Sequence, residues 1–298
     1  MDTSPPRNPI RATIEQLRYV RLGTPDLDAA TDFATRVLGL QAVRRDEDQA
    51  WFRSDSRDHT LCYVRGVPTE NAVGIELRDA DALGRAEQEL HVAGLHVTRG
   101  DTETNAARRV LDHVSVEPEP GLCVDLVVRP LHSGWRYFPS RDAGITGFHG
   151  VALRTAQPEA ALAFWTGLLS ARVSDWVGQA AYLRTDSAHH RLALYPSRSS
   201  GVLEVQFQIE GVDQVMQNSY WLRGAQVPIV HGPGRRPASQ QAFLSCRGPD
   251  GMLFGFVAEG SEVHDRNGGH LPRQFRHAAT SFCAWGSRTD VPEWHSPE

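Results

Sequence analysis

The second half of the chain carries side chains able to move protons and hold anions. His149 opens a short run, His149-Gly150-Val151-Ala152-Leu153, and His189-His190 follows an Arg-x-Asp turn. An imidazole titrates near neutrality, so His190 is a candidate general acid/base, whereas His189 is expected at the surface. In Leu203-Glu204-Val205-Gln206-Phe207, strand alternation sets Glu204, Gln206 and Gln208 on one face and Val205 and Phe207 on the other. If that face lines a cavity rather than solvent, Glu204 is a ligand or a base. Arg236 follows Gly232-Pro233-Gly234-Arg235. On a surface loop it is an ordinary arginine; in a cleft its fork holds a carboxylate or phenolate.

Composition bounds what these groups can serve. The chain has 298 residues, 40% hydrophobic and 22% charged, which is globular composition with room for two cores. A formal net charge of −5 gives a nucleic-acid role no electrostatic support. No apolar run approaches the ~20 residues of a membrane span, and the first residues lack a signal-peptide core. Cys62, Cys123, Cys246 and Cys283 lie far apart with no CxxC pair, so free thiols in a reducing cytoplasm are expected.

The elements that must position these residues come from an internal duplication. Residues 18–61 lie over 149–192 without a gap, and Arg53-Ser54-Asp55-Ser56-Arg57-Asp58-His59 falls on Arg184-Thr185-Asp186-Ser187-Ala188-His189-His190. Val73-Gly74-Ile75-Glu76-Leu77 then falls on Val205-Gln206-Phe207-Gln208-Ile209, and Pro120-Gly121 on Asp250-Gly251. Each half reads as a strand (17–23; 147–154), an amphipathic helix, strands at 50–54 and 59–64 (180–184; 190–195), and a strand at 72–78 (203–210). A second helix (79–93; 211–223) and two closing strands (108–115, 122–128; 240–246, 252–258) follow. The unit is βαβββ, used twice per half. The expected fold class is α+β: two tandem domains, 14–130 and 146–260, each a pair of βαβββ units curled into a half-open barrel. Residues 129–145 read as a linker and 261–298 as an irregular C-terminal extension.

Paired βαβββ units around a cleft resemble the vicinal oxygen chelate superfamily, and this chain is similar to its two-domain type I extradiol dioxygenases. PDLDAATDFATRVLGL, HGVALRT, RTDSAHHRLAL, EVQFQIEGVDQV and GPGRRPASQQAFLSCRGPDG carry the resemblance, which covers roughly residues 14–260. It implies a structural first domain, closed by side chains, and a second domain holding Fe(II) on two His and one carboxylate. Residue by residue, the first ligand position is His149. The second falls on Glu204 where the family has His, and the third on Gly255 where it has Glu. The family's catalytic His falls on His190, its further His on Arg236, and a substrate-facing Tyr on Ser245. Two of these six positions keep the family residue. His149 stands over Arg18 and Glu204 over Ala72 in the repeat, so the first half lacks both. His59, the twin of His190, is left as structural.

Two donors, His149 and Glu204, hold a divalent Fe or Mn weakly. His231, or Glu259 brought inward by a bulge, would have to supply a third, and restoring a carboxylate by Gly255→Glu should raise metal affinity. The leading expectation is a diverged enzyme acting on a hydroxylated aromatic or similar planar small molecule without a classical Fe(II) triad. In it His190 is the acid/base, Glu204 with His149 tunes it, and Arg236 with Ser245 meets the substrate. The alternatives are a working metal-dependent ring-cleavage dioxygenase with altered ligands, and a non-catalytic protein that binds an aromatic ligand. Neither nucleic acid nor membrane is expected as a partner; a homo-oligomer is compatible with the sequence.

Overall fold

The computed structural model describes residues 13–264 and 269–295. The first half runs β1 (Ile14–Thr24), α1 (Leu27–Asp32, continued by a π turn over Phe33–Val37), β2 (Gln41–Arg45), β3 (Gln49–Arg53) and β4 (Leu61–Arg65). A second unit follows: β5 (Asn71–Leu77), α2 (Ala80–Val92), β6 (Val97–Arg99), α3 (Thr102–Arg108), β7 (Val110–Glu119) and β8 (Leu122–Pro130). The second half repeats this as β9 (Ile145–Thr155), α4 (Pro158–Ala163 with a π turn over Phe164–Leu168), β10 (Arg172–Val177), β11 (Ala180–Arg184) and β12 (Leu192–Pro196). Its second unit is β13 (Gly201–Ile209), α5 (Val212–Gly224), β14 (Ile229–Arg235), β15 (Ala242–Arg247) and β16 (Leu253–Ala258). The duplicated βαβββ reading is therefore the fold, with a strand at 41–45, 97–99, 172–177 and 229–235 and helix α3 beyond those the sequence indicated.

The strands form two sheets. The first has the order β2-β3-β4-β1-β5-β8-β7-β6. The second has β14-β15-β16-β13-β9-β12-β11-β10, extended by β17 (Arg273–Phe275) from the tail. In each, the two units meet where their first strands pair antiparallel, β1 with β5 and β9 with β13. Each unit closes by a parallel contact, such as β9 with β12 and β13 with β16. The sheets curl so that the helices pack on the convex faces, and alternate residues point into the concave ones. The apolar convex faces merge into one core spanning both halves, where Phe33 of α1 meets Phe254 of β16 with ring centroids 5.4 Å apart.

Local chemistry sets the helix starts. Asp26, Asp79 and Asp101 each accept a backbone N–H of the first turn and cap α1, α2 and α3. Helix α4 has Gln157 at its N-cap, with no side-chain cap bond. The turn that leads into it is held from the first half instead: Glu119, at the end of β7, accepts from Ala156 N at 3.1 Å and Gln157 N at 3.3 Å. The same carboxylate takes Thr155 Oγ1 at 2.7 Å and Ser200 Oγ at 2.6 Å. The tail departs from the irregular extension expected of it. Strand β17 pairs parallel to β10, α6 (Ala279–Phe282) follows, and a 3₁₀ turn at Pro292–Trp294 docks against the second barrel. Among the described residues no helix is long and apolar enough to cross a membrane.

Candidate active site

Concave-facing residues of β9, β11, β12, β13, β15 and β16 converge in the second barrel with the segment after β14. His149, His190, Glu204, Arg236 and Ser245 are all buried there, so the structure brings these five side chains into one cluster. His189 is corrected: only 2% exposed, it turns inward with its neighbour. Its Nε2 lies 2.8 Å from Asp175 Oδ2 on β10, and its Nδ1 lies 3.2 Å from His190 Nδ1. Asp175 gave no signal in the sequence.

Hydrogen-bond complementarity fixes the protons in this row. Asp175 is held ionised: burial alone would raise its pKa, but bonds from Arg273 and His189 bring it below the usual range. His189 therefore donates from Nε2. Burial keeps it neutral, which leaves its Nδ1 as the acceptor. His190 must then donate from Nδ1, and its Nε2 carries a bare lone pair. That atom is buried and has no partner. Burial, then the nearby His189, His149 and Arg236, lower the His190 pKa well below 6.5. It stands as a neutral base packed edge-on to Tyr182, with ring centroids 4.8 Å apart.

Glu204 is the hub beside it. Its carboxylate accepts from Ser245 Oγ, from Gln206 Nε2 at 2.6 Å and from Arg236 Nη2 at 3.4 Å. Burial alone would lower the Arg236 pKa, but Tyr195 and Glu204 raise it, so the guanidinium stays charged. It lies over Phe243 and Trp294, 4.6 and 5.7 Å from the ring centroids, and its Nε is buried without a partner. Tyr182 and Tyr195 join hydroxyls at 2.7 Å along the same wall. The site thus offers a bare imidazole nitrogen and an unused guanidinium N–H. That pairing suits removal of a hydroxyl proton and retention of the anion left behind.

These residues do not fit a facial metal triad. The Cβ of any side chain at Gly255 would lie 2.7 Å from Glu204 Oε1, so the Glu204 carboxylate occupies the space of the missing ligand. Its own oxygens are already committed to Ser245, Gln206 and Arg236. His149 Nε2 accepts from Gln241 at 2.7 Å, and burial with Arg191 and Arg236 nearby lowers its pKa to about 3. The third donors considered from sequence lie elsewhere: His231 packs against Phe243 and Trp294, and Glu259 pairs with Arg235 on an exposed edge. Among the described residues no group of three or more His, Cys, Asp or Glu is placed to hold a metal ion.

The tail closes one mouth of this barrel. Trp294 is 2% exposed and sits against Tyr195 and His231. Beside it Glu293 Oε1 accepts from Arg154 Nε at 2.7 Å and Ser197 Oγ at 2.8 Å. At the opposite mouth a cavity of about 320 Å³ reaches His149, His189 and Gln241.

The first barrel is not the sealed counterpart that was expected. Its centre is filled: Tyr19 lies against Gly74, stacks on His59 at 5.0 Å, and donates to Asp125 at 3.0 Å. Asp125, the repeat partner of Gly255, also accepts from Arg108 Nε at 2.8 Å and Ser115 Oγ at 2.5 Å. A carboxylate, an arginine and a serine thus recur at both centres, Asp125-Arg108-Ser115 and Glu204-Arg236-Ser245, with the carboxylate delivered from β8 in one and β13 in the other. At one mouth, however, the first barrel keeps an open cavity of about 560 Å³ lined by Arg21, Asn71 and Arg108.

Comparison with known proteins accords with this architecture. The model of the Glyoxalase/Bleomycin resistance protein/Dioxygenase superfamily matches residues 16–121 and again 147–256. An iron-dependent extradiol dioxygenase of Rhodococcus jostii (strain RHA1) is 25% identical over 296 residues, 92% of this chain and 97% of that protein. A biphenyl-2,3-diol 1,2-dioxygenase of Pseudomonas sp. (strain KKS102) is 29% identical over 61% of this chain and 68% of its own length. Among solved structures, homoprotocatechuate 2,3-dioxygenase from Brevibacterium fuscum superposes with a TM-score of 0.84 at 20% identity, covering 98% of this chain and 94% of that one. The Mn(II)-bound glyoxalase from Novosphingobium aromaticivorans gives 0.83 at 23% identity, covering 96% and 95%. With its duplicated barrels and a family model matched in each half, the chain belongs to the Glyoxalase/Bleomycin resistance protein/Dioxygenase superfamily, among relatives that are extradiol dioxygenases.

Proposed function

We propose that this protein is a diverged extradiol-dioxygenase-like enzyme that acts on a hydroxylated aromatic compound in the second barrel by base chemistry, without an Fe(II) triad. The observation that carries this reading is the bare, buried Nε2 of His190 at the end of the Asp175-His189-His190 row, beside the unused Nε–H of Arg236. In the first step the phenolic O–H breaks and its proton moves to His190 Nε2. The phenolate keeps the electron pair and is held by the Arg236 guanidinium. Burial and the nearby charges disfavour the new imidazolium, so the transfer relies on Arg236 holding the phenolate and on Asp175 acting through His189. Glu204 balances Arg236 and holds its fork in place, with Ser245 and Gln206 fixing the carboxylate. A phenol also matches the aromatic wall of Tyr182, Tyr195 and Phe243. The names of the relatives, biphenyl-2,3-diol and 3-methylcatechol dioxygenases among them, support an aromatic diol as the substrate class.

The test is elemental analysis of purified protein, followed by titration with catechol and 3-methylcatechol under absorbance. The expected result is substoichiometric iron and manganese, a phenolate difference spectrum near neutral pH, and its loss in His190→Gln. One tightly held iron per chain, a yellow ring-cleavage product and inactivation by chelator would replace this reading with an ordinary metal-dependent dioxygenase. A difference spectrum with no turnover of any diol would leave a binding protein.

A further inference from the structure

The space that the tail fills in the second barrel is open in the first, and its lining has changed character. In the second barrel, Ala152, Tyr195, Leu203 and Leu253 form the apolar wall that receives Trp294. Their repeat partners Arg21, Val64, Asn71 and Cys123 all line the first-barrel cavity. Arg154 and Ser197, which grip the Glu293 carboxylate, have Gly23 and Gly66 as partners, and both lie on the same cavity. No described segment of the chain enters that cavity as the tail enters its counterpart.

The polar groups there are short of partners. Arg21 is only 9% exposed, and its guanidinium meets neutral acceptors alone: Ala107 O at 3.0 Å, Gln49 Oε1 at 3.0 Å and Cys62 Sγ at 3.6 Å. Among the described residues it has no carboxylate within ion-pair distance. Arg108, half-buried, is balanced by Asp125, so the set of Arg21, Arg108 and Asp125 retains one positive charge. A buried guanidinium without a counter-ion is unfavourable unless an anion completes it. Asn71 is 7% exposed, lines the cavity, and its Oδ1 has no hydrogen-bond partner. A buried carboxamide oxygen in that state calls for a donor. The cavity also has two carboxylates, Glu70 and Glu117, but both lie on the exposed rim, and Glu117 Oε1 accepts from Gly121 N at 2.8 Å.

We infer that the first barrel binds a small organic carboxylate that also carries a hydroxyl or amide N–H, with Arg21 and Arg108 taking the carboxylate and Asn71 the donor. The second barrel supplies the precedent, since the matching mouth there already holds a carboxylate, that of Glu293. The site lies in the half without the His190 base, so it is a second ligand site and not part of the proposed aromatic chemistry.

The experiment is NMR titration of the full chain with L-lactate, with the neutral isostere L-lactamide and inorganic phosphate run in parallel. The expected result is a saturable shift of the Asn71 side-chain amide and of the Gly23 and Gly121 backbone amides with lactate, and none with lactamide. Arg21→Gln should weaken lactate at least tenfold. Ala72→Glu places a carboxylate on the same wall, where Glu204 stands in the other barrel, and should abolish the response; it decides the matter if Arg21→Gln does not fold. Absence of any saturable shift in the wild type would overturn the inference. So would the same shifts with phosphate and none with lactate, or a lactate response that survives Ala72→Glu and vanishes in Arg236→Gln.

Discussion

Replacing Asp175 by Asn tests the proton arrangement on which the proposed chemistry depends. The side chain has no exposed surface, and its two oxygens take His189 Nε2 at 2.8 Å and Arg273 N at 2.7 Å, besides the Arg273 guanidinium. The bond to His189 is charge-assisted, worth about 1.5–3 kcal/mol. It selects the tautomer in which His189 donates from Nε2, and hence the one in which His190 Nε2 is bare. An amide at 175 can present either its oxygen or its NH₂ to His189, so that preference disappears. At about 1.4 kcal/mol per factor of ten, the ratio of competent to reversed tautomer falls roughly 10- to 150-fold, from nearly pure to mixed. The direct assay is ¹⁵N NMR of the His190 ring at pH 7. The wild type should show a protonated Nδ1 and a bare Nε2, and Asp175→Asn a mixture or the reverse. Arg273→Gln, which removes the guanidinium from Asp175 and leaves the His189 bond, should keep the wild-type pattern. A wild-type His190 protonated at Nε2, or an Asp175→Asn spectrum identical to the wild type, would refute the reasoning.

Four further outcomes follow from the structure. Gly255→Ala sets a Cβ 2.7 Å from the pinned Glu204 carboxylate and 3.2 Å from Gln206 Cγ, so thermal unfolding should show a loss of about 1–3 kcal/mol, with Glu204→Ala relieving the clash in the double variant. For the same reason Gly255→Glu should not raise metal affinity while Glu204 is present, contrary to what the sequence alone suggested; calorimetry with Mn(II) checks this. Burial lowers the pKa of His113 to about 4 and of His231 to about 3, from 6.5. The unfolded chain binds protons there first, so stability is full above pH 6.5 and declines as pH falls toward 4, by about 1.4 kcal/mol per pH unit for each histidine. Melting temperatures from pH 8 to 4.5 should show this decline, shallower in His113→Gln. Trp294→Ala should open the tail-blocked mouth and strengthen catechol binding to the second barrel at least fivefold, measured by equilibrium titration.

The duplication made most of the fold legible, because each half repeats the same alternation and the same turns. What escaped lacked a local signal. Strand β2 is Gln41-Ala42-Val43-Arg44-Arg45, almost wholly exposed, so no apolar face marks it. Strand β14 runs through Gly232-Pro233-Gly234, which reads as a turn. The members of the buried cluster could be named, since residue type and the family resemblance single out His149, His190, Glu204 and Arg236. Their roles could not, because roles depend on partners distant in sequence. His189 beside His190 reads as a surface residue, but it lies at a bend between strands, and the tail brings Arg273 onto the Asp175 that anchors it. Glu204 appears in sequence as an altered ligand; only the register of β13 beside β16 shows its carboxylate standing in the room left by Gly255.

The Glu119 carboxylate has a bearing on how the chain folds. It sits at the end of β7, yet it takes the backbone N–H groups of Ala156 and Gln157, the two residues that lead from β9 into α4, and the N-cap residue itself makes no side-chain cap bond. A helix entry held by a carboxylate 36 or more residues upstream is a long-range closure. The turn into α4 thus gains this hold only once the far end of β7 is in place. Leaving those donors without the carboxylate costs about 1–3 kcal/mol, and severing the halves would also expose the Phe33–Phe254 contact. These links couple the two barrels more closely than two modules on a string. A fragment carrying only the second barrel would lose the Glu119 clasp between β9 and α4 and bare an apolar face, so the half that holds the candidate active site should be less stable alone than in the whole chain.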